Sequence, residues 1–195
     1  MDSGAPPSFP DRENFGRTRS DLSGEALETA LAQQVVDLKT IAHELGVSLT
    51  HLKPHGALYN MAAIDAGLAE SIVRVLLHTL PKASLFGPPR SELERAAVEQ
   101  GIRFVAEGFA DRAYEADGQL RDRALPGAVL HDAKDQAAQA LSMSVDKSVE
   151  TFEGGQYPLS VATICVHGDT PAAVAAAEAI KTSLETVGIK LCPPT

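Results

Sequence analysis

Lysine, two histidines, a tyrosine and a carboxamide fall within the ten residues His51-Leu52-Lys53-Pro54-His55-Gly56-Ala57-Leu58-Tyr59-Asn60. They follow Val47-Ser48-Leu49-Thr50, a stretch with strand character, and side chains along a strand alternate between its faces. His51, Lys53 and His55 therefore share one face if the strand runs to its end. A lysine there can clamp a carboxylate or phosphate, and a histidine titrates near neutral pH and can move a proton. The same residues could equally shape a turn by hydrogen bonding, and the spacing does not choose between the two. His51 reads as structural. Pro54 cannot donate to a ladder and Gly56 admits a left-handed backbone, so the strand is expected to end here and pass its polar groups to a loop.

Two further segments place polar groups after apolar ones. Glu107, Asp111, Arg112 and Tyr114 follow Ile102-Arg103-Phe104-Val105-Ala106. Glu107 lies where a buried strand meets its loop, a setting that raises a carboxyl pKa and suits a general acid or base. Asp111-Arg112 reads more simply as a surface ion pair. His167 and Asp169 follow Val161-Ala162-Thr163-Ile164-Cys165-Val166, and Asp169-Thr170-Pro171 looks like a helix start with a capping side chain and a proline in the first turn. His43, His78 and His131 carry little weight. The chain has no glycine-rich phosphate loop, nucleophile elbow or paired-cysteine zinc motif, so it shows no recognisable ATP-binding motif of its own.

The elements that must position these residues alternate between strand and helix. Residues 1–20 are expected to be irregular. A helix over 23–45 follows, capped by Ser23 and ended by Gly46, then a strand over 47–53, a helix over 61–80 and a strand over 83–86. Next come a helix over 91–100, a strand over 102–106, a polar loop over 115–126 and a helix over 133–145 capped by Asp132. The apolar, β-branched strand over 161–166 precedes a helix over 171–187, and 189–191 is a candidate final strand. Such alternation implies βαβ units and a parallel sheet, open or closed into a barrel. In those folds the loops after the strands build the active site, so His55, Glu107 and His167 are expected at one mouth with Lys53 beside them.

At 195 residues the chain fits one domain with a sizeable core. Its net charge of −9, without basic clusters, argues against nucleic acid as a partner. Cys165 and Cys192 are its two cysteines, which fits a reducing cytoplasm rather than a disulfide framework. No apolar run reaches the ~18 residues of a membrane span, and the start lacks a signal-like pattern.

Five blocks in the sequence resemble the lactam-utilisation (LamB/YcsF) family, which supplies the A component of prokaryotic-type 5-oxoprolinase. They are Ser8-Phe9-Pro10-Asp11-Arg12-Glu13-Asn14-Phe15-Gly16-Arg17, Lys53 through Asn60, Phe109-Ala110-Asp111-Arg112-Ala113-Tyr114, Pro126-Gly127-Ala128-Val129, and Ile164 through Pro171. The resemblance implies a distorted, incomplete α/β barrel of glycoside hydrolase/deacetylase type. It also implies ATP-dependent opening of the lactam 5-oxoproline to glutamate, with ATP bound through a complex that includes companion B and C subunits. On matched positions it implies proton transfer by His55 and Glu107 and charge-holding by Lys53, Arg17 or His167, with Tyr59, Asn60, Arg112 and Asp169 completing a substrate-binding set. A divalent metal would rest on His55, His167 and Asp169, and is not required by the pattern. A homo-oligomer is left open.

Departures accompany the match. The family's acidic opening strand and its Gly-Phe-His-Ala-Gly-Asp block are absent, Pro6 stands where the family has a histidine, and Gly87-Pro88-Pro89-Arg90 replaces a more flexible turn. The chain is therefore expected to be N-terminally short relative to the family. That leaves a second reading open, a catalytically impaired binding or regulatory protein, and a third, a hydrolase of another small lactam.

Overall fold

The computed structural model describes residues 2–169 and 172–193, and the chain divides into two compact units, 1–105 and 106–195. In the first unit the elements run β1 (Ser3–Ala5), α1 (Gly24–Glu44), β2 (Leu49–Leu52), α2 (Ala57–Ala62), α3 (Ala66–Thr79), β3 (Ser84–Gly87) and α4 (Glu92–Glu99), and then enter β4 (Phe104–Phe109). β1 pairs with β2 and β2 with β3, both in parallel, and Leu85 N–H reaches the Arg103 carbonyl at 2.9 Å. The second unit continues with α5 (Ala133–Val145), β5 (Ser148–Glu150), β6 (Gln156–Pro158), β7 (Thr163–Cys165) and α6 (Ala173–Thr186). There β4 pairs in parallel with β7, and α5 packs on α6.

Five parallel strands follow the order β1-β2-β3-β4-β7 among the described residues. Each next strand along the sheet is also the next parallel strand in the chain, as in a β/α barrel and unlike a doubly wound sheet, whose order reverses. The fold class expected from the sequence, α/β with parallel strands making up part of a barrel's complement, is the one found. No helix among the described residues is long and apolar enough to cross a membrane.

Helical periodicity matches the observed helices because each carries an apolar stripe that one core absorbs. Leu27, Leu31 and Val35 of α1 meet Leu68, Ile72 and Leu76 of α3 in a cluster closed by Leu52 and Leu85 from the strands. In the second unit Ala137 and Ala140 of α5 pack with Ile180 and Leu184 of α6. Small alanines on the facing helices let the two lie close.

Several expectations require correction. Residues 1–20 are not wholly irregular: Ser3–Ala5 forms β1, created by pairing with β2 and not by local propensity. Gly4 is needed there, since a Cβ on it would lie 2.1 Å from Nε2 of His51. The expected helix over 61–80 is two, because Gly56, at φ 64, launches α2 directly and Asp65 starts α3 afresh. The strand after α4 runs further than expected, so Glu107 lies inside β4 and does not follow it. The strand over 161–166 contracts to three residues. An unanticipated antiparallel hairpin, β5-β6, interrupts the alternation. Ile189–Leu191 is no strand; Gly188, at φ 82, ends α6 and Ile189 folds back so that its N–H meets the Leu184 carbonyl. The helix start expected at Asp169-Thr170-Pro171 falls partly on 170 and 171, outside the described residues.

The restart at Asp65 gives a direct test. Its carboxylate accepts from Leu68 N–H at 3.0 Å, and loss of such a cap costs about 1 kcal/mol. Asp65→Ala is expected to lower the thermal midpoint while Asp65→Asn, which can still cap, stays near the wild type; equal midpoints for all three would show the cap to be idle.

Candidate functional site

In the first unit the residues of interest gather around one turn. Beyond β2 the ladder continues through Lys53 N–H to the Ala5 carbonyl at 3.0 Å and His55 N–H to the Pro7 carbonyl at 2.9 Å. The chain then turns at Gly56 and enters α2, whose first N–H, from Ala57, donates to the Gly16 carbonyl at 2.9 Å. Gly16 belongs to a tight loop in which Asp11 accepts from the Asn14 side chain at 2.9 Å and Gly16 N–H closes on the Asp11 carbonyl at 2.7 Å. Phe15 and Gly16 both take the left-handed backbone, at φ 58 and 68.

This loop orients His55. Its Nε2 lies 3.0 Å from the Phe15 carbonyl. A carbonyl only accepts, so Nε2 carries a proton and the basic lone pair of the neutral ring belongs to Nδ1. The Phe15 ring meets His55 edge-on at 4.9 Å, and the Arg17 guanidinium stands 5.3 Å from the centre of the same phenyl ring. Lys53 Nζ lies 5.9 Å from the Tyr59 ring centre, within cation–π reach of a buried phenol. Arg17, Lys53, His55 and Tyr59 thus share one turn, while Asn60 is exposed on α2. His51 is packed instead: its ring stacks on Phe86 at 4.2 Å, and burial, with Lys53 nearby, pushes its pKa down.

In the second unit the centre is an Asp–His pair. Asp111 Oδ2 accepts from His167 twice, from the backbone N–H at 2.9 Å and from ring Nδ1 at 2.7 Å. Burial opposes ionisation of Asp111 more than any other single influence, yet the hydrogen bonds from His167 and its charge outweigh it and hold the carboxyl below its ordinary value. Oδ1 is buried and accepts no hydrogen bond from the described residues. Phe109 stacks against His167 at 5.7 Å.

The corner that carries Asp111 is tied down from several directions. Gln139 on α5 donates to the Phe109 and Arg112 carbonyls at 2.7 and 2.8 Å. Ala110 N–H reaches the Cys165 carbonyl at 3.0 Å, and Leu130 N–H the Asp111 carbonyl at 3.0 Å. The Tyr114 hydroxyl accepts from Phe109 N–H at 2.7 Å, and burial first, then nearby Glu107, raises its pKa. Arg112 is buried and donates to the Ala128 and Arg121 carbonyls at 3.2 and 2.5 Å. It and Asp111 are therefore no surface ion pair; each faces a different partner. Glu107 is buried in β4 opposite Thr163, and Asp169 meets Arg123 at 3.4 Å.

Asp111 is the residue whose part the sequence concealed, since its partner lies 56 positions away. The one available signal is its place just beyond an apolar strand. Among the described residues no three His, Cys, Asp or Glu side chains group as a metal site would need.

The model of the LamB/YcsF family matches residues 1–195. A protein of Coprothermobacter proteolyticus, named as the A subunit of 5-oxoprolinase, is 42% identical over 185 residues, covering 95% of this chain and 71% of that one. One of the same name from Chloroflexus aggregans is 44% identical over 191 residues, covering 98% and 76%. The crystal structure of a lactam utilization protein from Thermus thermophilus superposes with a TM-score of 0.87 at 34% identity, over 98% of this chain and 76% of that one.

Proposed function

The chain belongs to the LamB/YcsF family, and from that premise we propose that it serves as the A component of an ATP-dependent 5-oxoprolinase, the hydrolase that opens 5-oxo-L-proline to L-glutamate. The observation that carries this reading is identity above 40% across almost the whole chain with two proteins named as that component. Their name, that of an A subunit, implies companion subunits; in our reading these are B and C, and ATP is taken up through the complex they form. The readings as a regulatory binding protein or as a hydrolase of another lactam draw no support from these relatives.

Opening the ring requires water to add to the carbonyl carbon and the ring nitrogen to leave with a proton. His55 offers Nδ1 for proton transfer because Nε2–H is held by the Phe15 carbonyl. Glu107, buried within β4, offers a carboxyl for the other proton transfer. Lys53 and Arg17 supply positive charge for the substrate carboxylate and for the oxygen that becomes negative as water adds. Tyr59 and Asn60 on α2, and Asp169 beyond β7, belong to the substrate-binding set. Arg112 contributes by holding the loop carbonyls of Arg121 and Ala128.

The test is reconstitution. The chain combined with B and C subunits, 5-oxo-L-proline and Mg·ATP is expected to release glutamate, and omission of this chain, either companion or ATP is expected to stop it. Glutamate release that persists without this chain, or fails with the complete set, would overturn the proposal.

A further inference from the structure

We infer that Asp111 is a positioning residue for His167, holding the imidazole by Nδ1 so that Nε2 accepts the proton of the water that opens the lactam. The inference rests on the functional reading above. It gives His167 a part different from the charge-holding one that the resemblance implies.

Two contacts to a single oxygen fix the ring. One comes from the backbone N–H of His167 and the other from its Nδ1, at 2.9 and 2.7 Å, so the carboxylate grips the residue at both its backbone and its ring. An ionised carboxylate has no proton to give, hence Nδ1 is the donor and the lone pair of the neutral ring is on Nε2. The Phe109 ring, tilted 27° to the imidazole, limits rotation about the remaining bond. Exposure is graded in the useful direction: the Asp111 side chain is 8% exposed and that of His167 20%. A shielded carboxylate behind a ring that reaches solvent is the arrangement that favours a base over a packing pair. The Asp111 corner is itself held by Gln139 from α5 and by the Leu130 N–H, so the ring inherits a fixed origin.

The hydrolytic step itself balances with the lactam and one water, ATP entering through the complex. As the water oxygen bonds to the carbonyl carbon, its proton passes to Nε2, and the imidazolium formed is neutralised by Asp111. When the ring C–N bond breaks, the departing nitrogen keeps the bond's electron pair and takes that proton from Nε2, so His167 ends as it began. The second proton of the water, left on the new carboxyl group, is the one that His55 and Glu107 pass on to the amine. The carboxylate orients the ring and stabilises its charged form without taking the proton itself.

The experiment reads tautomer and turnover separately. Ring ¹⁵N NMR of the full chain is expected to show His167 as the Nδ1–H form, and Asp111→Ala to convert it mainly to Nε2–H. In the reconstituted complex Asp111→Asn, which keeps the volume and loses the charge, is expected to lower kcat by about 10² or more with KM changed by less than about threefold. An Nε2–H tautomer in the wild type, or unchanged kcat in folded Asp111→Asn, would overturn the inference. Absence of turnover in the wild-type complex would fail the functional reading instead, and the tautomer of the chain alone would then decide whether Asp111 positions the ring.

Discussion

His55→Gln in the assembled enzyme is expected to lower kcat for 5-oxo-L-proline by about 10² or more, the scale of a lost acid–base group, with the fold intact. The reason lies in what glutamine keeps and what it loses. Its amide N–H can still donate to the Phe15 carbonyl, as Nε2 does at 3.0 Å, so the 11–17 loop retains its anchor. It has no titratable nitrogen to stand in for Nδ1. KM should stay close to the wild-type value, because Lys53 and Arg17, the groups given charge to hold, are unaltered. A kcat within about threefold of wild type would show His55 to be a loop residue that shapes its turn.

Gly56→Ala is the change expected to do most harm to stability. Gly56 sits at φ 64, and an added Cβ would lie 2.3 Å from the Gly16 carbonyl oxygen and 2.8 Å from its carbon. Both obstacles are backbone, so relief requires the loop to move. With ψ −134 as well, the Gly56 backbone lies in a region open almost only to glycine, which costs about 1–3 kcal/mol for another residue; overpacking costs about 1–3 kcal/mol more, a loss of roughly 2–6 kcal/mol in thermal or chemical unfolding. Gly46 is the control for added bulk: it too has a positive φ, 69, but nothing within 4 Å of a new Cβ, so Gly46→Ala should lose only the roughly 1–2 kcal/mol of a positive-φ backbone. Exchange of the Ala57 amide, bonded to the Gly16 carbonyl at 2.9 Å, should accelerate in Gly56→Ala alone. Equal losses for both variants would show that steric contact with the 11–17 loop is unimportant.

What the sequence discloses is what is encoded locally. The helix over 133–145 is legible to the residue because Asp132 caps it and its apolar positions repeat at helical spacing. The ends at Gly46, Gly101 and Gly188 are legible for a related reason, each glycine taking a left-handed backbone. β1 is not legible, since three small residues become a strand only when β2 lies beside them. The β5-β6 hairpin escapes likewise, its strands being three residues each. Glu107 misleads because charge within a run reads as the end of a strand, whereas here the strand continues through it to Phe109.

The site is legible as two stretches of chemistry and not as pairs. Lys53, His55 and Tyr59 are neighbours in sequence and remain neighbours around one turn. The loop that fixes the His55 tautomer, through Phe15, comes from forty residues earlier, and no spacing rule connects them. Asp111 beside Arg112 looks like an ion pair because adjacency is all a sequence offers. Folding sends the acid to His167 and the guanidinium to two carbonyls.

The prolines after β1 have a consequence for how the molecule behaves at high concentration. In the extended segment the carbonyls of Ala5 and Pro7 face β2, so residue 6 between them faces the other way. That residue is an exposed proline, Pro6, with no N–H to offer. A bare strand edge is a template on which a second copy can add itself and begin an aggregate. Here the outward row of donors is interrupted at Pro6, so a strand laid along this segment would find no N–H there to accept.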